Sequence, residues 1–158
     1  MSKPAYRPKP QDEIRRNMSA IRSSGNKTEQ ALAKHLHRMG LRYRKYVAGL
    51  LGKPDLVFPG PRVVVFVDGD YWHGRLLREK GMAAVEARIK SPNLAYWKAK
   101  FLRNVQRDDA VTAALSAEGW YVIRIWESDV KRNVTRAAQL VAEVVRSRKD
   151  SGAAKRPQ

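Results

Sequence analysis

The stretch Val63-Val64-Val65-Phe66-Val67 constrains the fold most. It has no polar face, and four of its five residues are β-branched. Such a run belongs to a strand covered on both sides, so it predicts the central strand of a sheet with helices above and below. Asp55-Leu56-Val57-Phe58 precedes it as a short strand, and Pro59-Gly60-Pro61 between them is a turn. A turn over 59–62 sets Phe58 opposite Val63 and Asp55 opposite Phe66. Side chains alternate along a strand, so Asp68 then shares a face with Asp55, with the carboxylates about 7–8 Å apart. A register slip of one residue would part them.

Helical spacing and caps set the surroundings. Asp12 opens a short helix to about Arg22, and Ser23-Ser24-Gly25-Asn26 breaks it. Thr28 caps a second helix carrying Ala31, Leu32, Leu36 and Met39, stopped by Gly40. Leu41 to Val47 alternates apolar and basic residues as a half-exposed strand. Residues 69–93 read as a long loop with a helical stretch near 82–89. Asn93 caps a long helix to Ala117, Trp120 to Trp126 is a strand with buried character, and Val134 to Arg148 is a helix with Ala137, Leu140, Val141 and Val144 on its apolar face. The class is α/β, a mixed central sheet flanked by helices. With 158 residues, 43% of them hydrophobic, the chain suits one domain. The expected organisation is a basic arm over 1–11, a domain over 12–148 and a disordered basic tail over 149–158.

Lys and Arg number 32 against 15 acids, a net charge of +17. A folded domain with that self-repulsion points to a polyanionic partner, nucleic acid before an anionic membrane. No apolar run is long enough to span a bilayer. There are no cysteines, which excludes disulfides and thiolate zinc sites. The N-terminus carries no apolar signal region, so the expected compartment is the cytoplasm.

The central strand runs into Asp68-Gly69-Asp70-Tyr71-Trp72-His73-Gly74. Hard carboxylate ligands and a phosphate-rich partner together suggest Mg²⁺. The blander reading makes Asp55 a turn or cap residue, Asp68 the close of a strand at Gly69, Tyr71 and Trp72 a roof over the core, and His73 a satisfied structural histidine. The functional reading makes the aromatics a base-stacking wedge and His73 a water activator. Their coincidence within a few residues of a very basic chain favours the second. Lys100, Arg103 and Arg107 form one stripe of the long helix. Arg15, Arg16, Arg22, Arg75, Arg78 and Lys80 would complete a phosphate clamp; a solvated helix face is the alternative.

An ordered set of motifs resembles the very-short-patch repair endonucleases. It begins with Asn17-Met18-Ser19-Ala20-Ile21-Arg22, Thr28-Glu29 and Gly40-Leu41-Arg42-Tyr43-Arg44. Lys53-Pro54-Asp55, Val67-Asp68-Gly69, Tyr71-Trp72-His73, Tyr96-Trp97, Asn104-Val105-Gln106-Arg107-Asp108 and Ile125-Trp126-Glu127 follow. The resemblance implies a restriction-endonuclease-like fold. It implies Mg²⁺-dependent nicking of one DNA strand, 5′ to the thymine of a T:G mismatch left by 5-methylcytosine deamination. Asp55 would bridge two metal ions, with Mn²⁺ as a substitute, and the Val67 carbonyl would be a second ligand. His73 would be the base, and Glu29 would orient it. Tyr71, Trp72 and Trp97 would form the wedge. Asp68 stands where the best-characterised member has histidine. The family often carries a structural zinc; the corresponding positions here hold Arg75, Leu77, Asp108 and Ser128, so no zinc is expected, and an Asp108–Arg75 salt bridge is expected instead. One nick needs one active site, so a monomer is expected, nucleoid-associated and open to contact with other mismatch-repair proteins. The alternatives are a nuclease of the same fold in restriction or phage defence, or a non-catalytic DNA-binding module.

Overall fold

The computed structural model describes residues 11–153, apart from the side chains of Ile14, 17–26 and Ala153. Helix α1 (Gln11–Arg38) leads to strands β1 (Leu56–Phe58) and β2 (Val63–Asp68). Helices α2 (Arg75–Arg88) and α3 (Leu94–Ala117) cross over to β3 (Tyr121–Trp126), and α4 (Glu127–Arg132) and α5 (Val134–Ala153) follow. The sheet order is β1-β2-β3, with β1 antiparallel and β3 parallel to β2. The apolar run is therefore the central strand, and Phe58 pairs with Val63 in the expected register. Helices cover both sheet faces, which makes the fold α/β with a mixed sheet.

Alternation along β2 builds two cores. Val63 and Val65 pack with Leu32, Leu36, Val130, Ala138, Val141 and Val145 of α1, α4 and α5. Val64 and Phe66 pack with Val57, Val111 and Leu115, against α3. Asp68 continues the even-numbered set, so it ends β2 on the α3 face.

Several expected elements differ. The two N-terminal helices are one helix of 28 residues. Ser, Gly and Asn inside it each cost at most about 1 kcal/mol against alanine, too little to stop a helix packed elsewhere. Thr28 is thus not a cap; it is buried mid-helix, its hydroxyl toward Glu127. The strand expected over 41–47 shrinks to a single bridge, Arg44 to Val57, because Tyr46 turns left-handed at φ 54° and ends the pairing. The long loop over 69–93 contains α2, which tolerates its polar breaks by kinking at Gly81, φ 80°. β3 is only partly buried, with Tyr121 exposed and the rest intermediate. Leu140 is exposed while Ala138, Ala142 and Val145 are buried, which rotates the apolar face of α5 from the expected one. Helix α5 also runs on to Ala153, past the expected start of the tail. Residues 1–10 of the expected arm and 154–158 of the expected tail lie outside the described residues.

Candidate active site

The site collects where parallel β2 and β3 end, the usual ligand-binding edge of an open α/β sheet. Asp55 precedes β1 and is clamped to the neighbouring strand. Its amide donates to the Val65 carbonyl at 2.9 Å, and its Oδ2 accepts from the Val67 amide at 2.7 Å. Glu29 of α1 hydrogen-bonds to the Asp55 carboxyl. Burial and then the Asp55 charge push the Glu29 carboxyl up to about 7, against the pull of Lys45. Asp55 is raised as well, by burial first and by the Asp68 charge, while the Val67 amide, Glu29 and His73 oppose the shift. Two crowded carboxyls of this kind hold a proton between them.

His73 reaches this edge from the turn after β2. Its Nδ1 lies 2.6 Å from Asp108 Oδ2 and 3.7 Å from Asp68 Oδ1. Glu29 was expected to orient the ring; Asp108 of α3 holds it instead, and Glu29 faces Asp55. Asp68 was expected beside the metal. Both its oxygens are bound by Arg124 Nη1, at 3.0 and 2.9 Å, on the β3 residue paired with Phe66. A carboxylate so neutralised is a poor cation ligand, so the strand-end position that puts Asp68 near Asp55 also hands it to β3. Arg124 reaches further, donating to Thr112 Oγ1 and the Asp108 carbonyl with its guanidinium carbon 4.2 Å from the Phe66 ring centre. Asp68, Asp108, His73 and Arg124 thus form one charge network, its acids buried and its His73 and Arg124 partly exposed.

The aromatics assemble on the same turn. Tyr71 meets Trp72 and Phe101 edge-on, each at 5.1 Å, and Trp97 at 6.4 Å. Tyr96 joins through Trp97 at 5.5 Å. Lys100 Nζ lies 4.9 Å from the Trp72 ring centre and 5.2 Å from that of Trp97. Asn104 Nδ2 donates to the Trp72 carbonyl at 2.9 Å, fixing the turn to α3. At Gly74, φ 69°, a Cβ would lie 2.8 Å from Val105, so only glycine lets the turn approach α3 so closely.

Arg75 opens α2 and is held by acids, but not by the expected one. It pairs with Asp70 at 3.0 Å, Glu79 at 2.7 Å and Asp129 at 3.1 Å, and donates to Ser128 Oγ at 2.6 Å. The Ser128 amide donates to Asp70 Oδ2, and its hydroxyl donates to Oδ1. Against the cost of burial, Ser128 and Arg75 hold the Asp70 carboxyl below the usual carboxylate range. A guanidinium fills this corner, and its donors do not fit a zinc ion.

Residues 10–80 match the family described as DNA mismatch endonuclease Vsr. A type II nicking enzyme of Neisseria meningitidis serogroup C is 44% identical over 131 residues, 83% of this chain and 84% of that protein. A type II nicking enzyme of Lentzea aerocolonigenes is 41% identical over 119 residues, 72% of this chain and 67% of that protein. The DNA mismatch endonuclease Vsr of Escherichia coli is 31% identical over 112 residues, 71% of this chain and 67% of that protein. The chain belongs to the Vsr family.

As a Vsr-family protein it is a DNA endonuclease with the restriction-endonuclease-like fold. Its basic residues divide accordingly. Arg15, Arg16, Arg103 and Arg107 are exposed, whereas Lys100 is committed to the aromatic rings. Arg78 pairs with Asp109 at 2.8 Å, Arg75 is spent in its corner, and Lys80 is exposed. The Arg22 side chain lies outside the described residues. The sequence reading missed Arg124 and the part played by Asp108. The signal for Arg124 was present: one cation inside the otherwise apolar Tyr121-Val122-Ile123-Arg124-Ile125-Trp126. No helix among the described residues is long and apolar enough to cross a membrane.

Proposed function

We propose that this Vsr-family endonuclease nicks one strand of duplex DNA at T:G mismatches left by deamination of 5-methylcytosine, and that it requires Mg²⁺. The observation that carries the reading is geometric: Asp55, its Oδ2 fixed by the Val67 amide, stands with Glu29 beside an acid-held histidine and an aromatic cluster. A divalent cation in place of the shared proton relieves the same repulsion. Among the described residues no group of three His, Cys, Asp or Glu is gathered as a ready cage. That fits Mg²⁺, which is commonly bound through one or two carboxylates plus substrate phosphates. Asp55 and Glu29 are the side chains that would hold it, with the Val67 carbonyl as the backbone candidate. When bound, the ion supplies positive charge to the phosphoryl and leaving oxygens.

The chain's own residues do the rest. Asp108 fixes the His73 tautomer with the proton on Nδ1, leaving Nε2 to accept one from water. A positioned base contributes roughly 10²–10⁴-fold. Arg124 balances Asp68 and Asp108, so His73 is held without excess negative charge facing the incoming phosphate. Tyr71, Trp72 and Trp97 form the wedge that tests how easily a base step opens, which is easier at a mismatch. One such centre suffices for one nick, consistent with a monomer.

A second reading, which the name type II nicking enzyme of two relatives supports only as far as nicking, is nicking at a defined sequence in paired DNA. One experiment decides: end-labelled duplexes carrying each mismatch and the paired controls, with Mg²⁺, Mn²⁺ or chelator. The expected result is metal-dependent cutting of the thymine strand of T:G alone. Equal cutting of paired DNA supports the second reading. No cutting by wild type, or unchanged cutting by Asp55→Ala, removes the proposed site.

A further inference from the structure

The segment between the Arg44 bridge and Asp55 is built in an unusual way. Four of its residues are left-handed: Tyr46 at φ 54°, Gly49 at 85°, Gly52 at 74° and Lys53 at 53°. Two of them are not glycine, and each such residue carries roughly 1–2 kcal/mol of strain. The segment is nevertheless fixed at both ends. Arg44 exchanges backbone hydrogen bonds with Val57 at 2.8 and 2.9 Å, and a Cβ on Gly52 would lie 2.5 Å from Val111. Val47 and Leu50 pack inward onto the core that faces α3. The same fixed loop turns two large apolar side chains outward. Tyr46 is 84% exposed and Leu51 is 52% exposed.

Strain held in place by anchors while an aromatic points into solvent is a pattern of binding loops. Its surroundings name the partner class. Arg44, Lys45 and Lys53 flank the two apolar side chains, and the whole chain carries +17. Aromatic and apolar groups set among cations suit nucleic acid. The loop also adjoins the carboxylates: it leads directly into Asp55, and Lys45 acts electrostatically on Glu29.

We propose that the 45–53 loop is a second DNA-contacting element, with Tyr46 and Leu51 lying against the duplex and Arg44, Lys45 and Lys53 beside its phosphates. This rests on the reading of the chain as a nickase of duplex DNA. The loop anchors at Val111, while the aromatic wedge stands on Trp97 of the same helix. Fourteen residues of α3 separate those anchors, about 21 Å at 1.5 Å each. That distance spans roughly six base pairs. On a duplex lying along α3 the loop touches the flank of the site, about half a helical turn from the aromatic wedge, and helps to choose the flanking sequence.

The test is equilibrium binding to labelled T:G duplexes in chelator, for wild type, Tyr46→Gly and Leu51→Ser. The duplexes are full length or trimmed to within half a turn of the mismatch on one side or the other. Both variants are expected to bind the full duplex roughly five- to tenfold more weakly. Trimming one particular side abolishes the difference. Tyr46→Gly relieves a left-handed tyrosine, so its melting temperature stays at or above that of wild type. A purely structural tyrosine would instead show a fall. Wild-type affinity in both variants overturns the proposal. So does sedimentation in which Tyr46→Gly splits a dimer without changing DNA affinity, since the patch would then join two copies. If wild type nicks nothing yet these variants lose affinity, the nickase reading fails and the loop assignment stands. Normal nicking with normal variant affinity removes the loop assignment alone.

Discussion

Asp108 Oδ2 lies 2.6 Å from His73 Nδ1, closer than any other acid the ring meets. The contact joins the turn after β2 to the middle of α3, across 35 residues of chain. It makes Asp108 a positioning residue for the imidazole. Asp108→Asn keeps the shape but removes the preference for an Nδ1 proton. Nicking at saturating DNA is expected to fall by roughly 100-fold or more, with DNA affinity unchanged. Single-turnover kinetics alongside binding measure this. An affinity loss without a rate loss would assign Asp108 to folding alone.

Arg124 is the cation among buried acids. Removing it leaves Asp68 buried without its counter-charge, a change that costs about 3–5 kcal/mol when a buried pair is broken. Arg124→Met should therefore be among the most destabilising single changes, read as a fall in the denaturant midpoint. The double variant Arg124→Met with Asp68→Asn should recover part of the loss, because the orphaned charge is gone.

The readable and unreadable parts of the chain divide on physical grounds. The apolar run, the hairpin register and α3 were legible because each follows from local pattern: buried β-branched residues, a Pro-Gly-Pro turn, a long helical stretch ended by a left-handed Gly119. The single α1 and the kinked α2 were not, because packing outweighed weak local breakers. At the site, Asp55, Glu29, His73, Tyr71, Trp72 and Trp97 came together around one edge. Which acid meets which base was not legible. Asp108 and Arg124 enter from α3 and β3, and only the crossover decides that they face Asp68 and His73. The corner at Arg75 shows the same limit: its charge was readable, its partners were not.

Trp72 stands in the aromatic cluster with its carbonyl tied by Asn104 and a lysine over its ring. Trp72→Ala leaves the carboxylates and His73 in place. It is expected to reduce the ratio of T:G to paired-DNA affinity by about tenfold, since ring stacking on a base is worth about 1–3 kcal/mol. Competition binding with the two duplexes reads this directly. An equal loss on both duplexes would make the tryptophan a general contact.

The Glu29–Asp55 pair predicts a pH dependence of stability with a definite sign. Folding raises the Glu29 carboxyl from 4.5 to about 7, so the folded chain binds more protons than the unfolded one between those values. Stability then falls as pH rises through that window. The contribution is whole below pH 4.5 and lost above about 7. Glu29 is partly exposed, so solvent screening reduces the effect below what the shift alone suggests. Glu29→Gln removes the charge that must be buried at high pH. In chelator at pH about 8, its melting temperature should exceed that of wild type by roughly 2–6 °C, and near pH 4 the two should converge. Mg²⁺ should raise the wild-type melting temperature at the higher pH and do little for Asp55→Asn, because the cation takes the place of the lost proton. A wild-type melting curve indifferent to both pH and Mg²⁺ would mean that the two carboxyls neither share a proton nor share an ion.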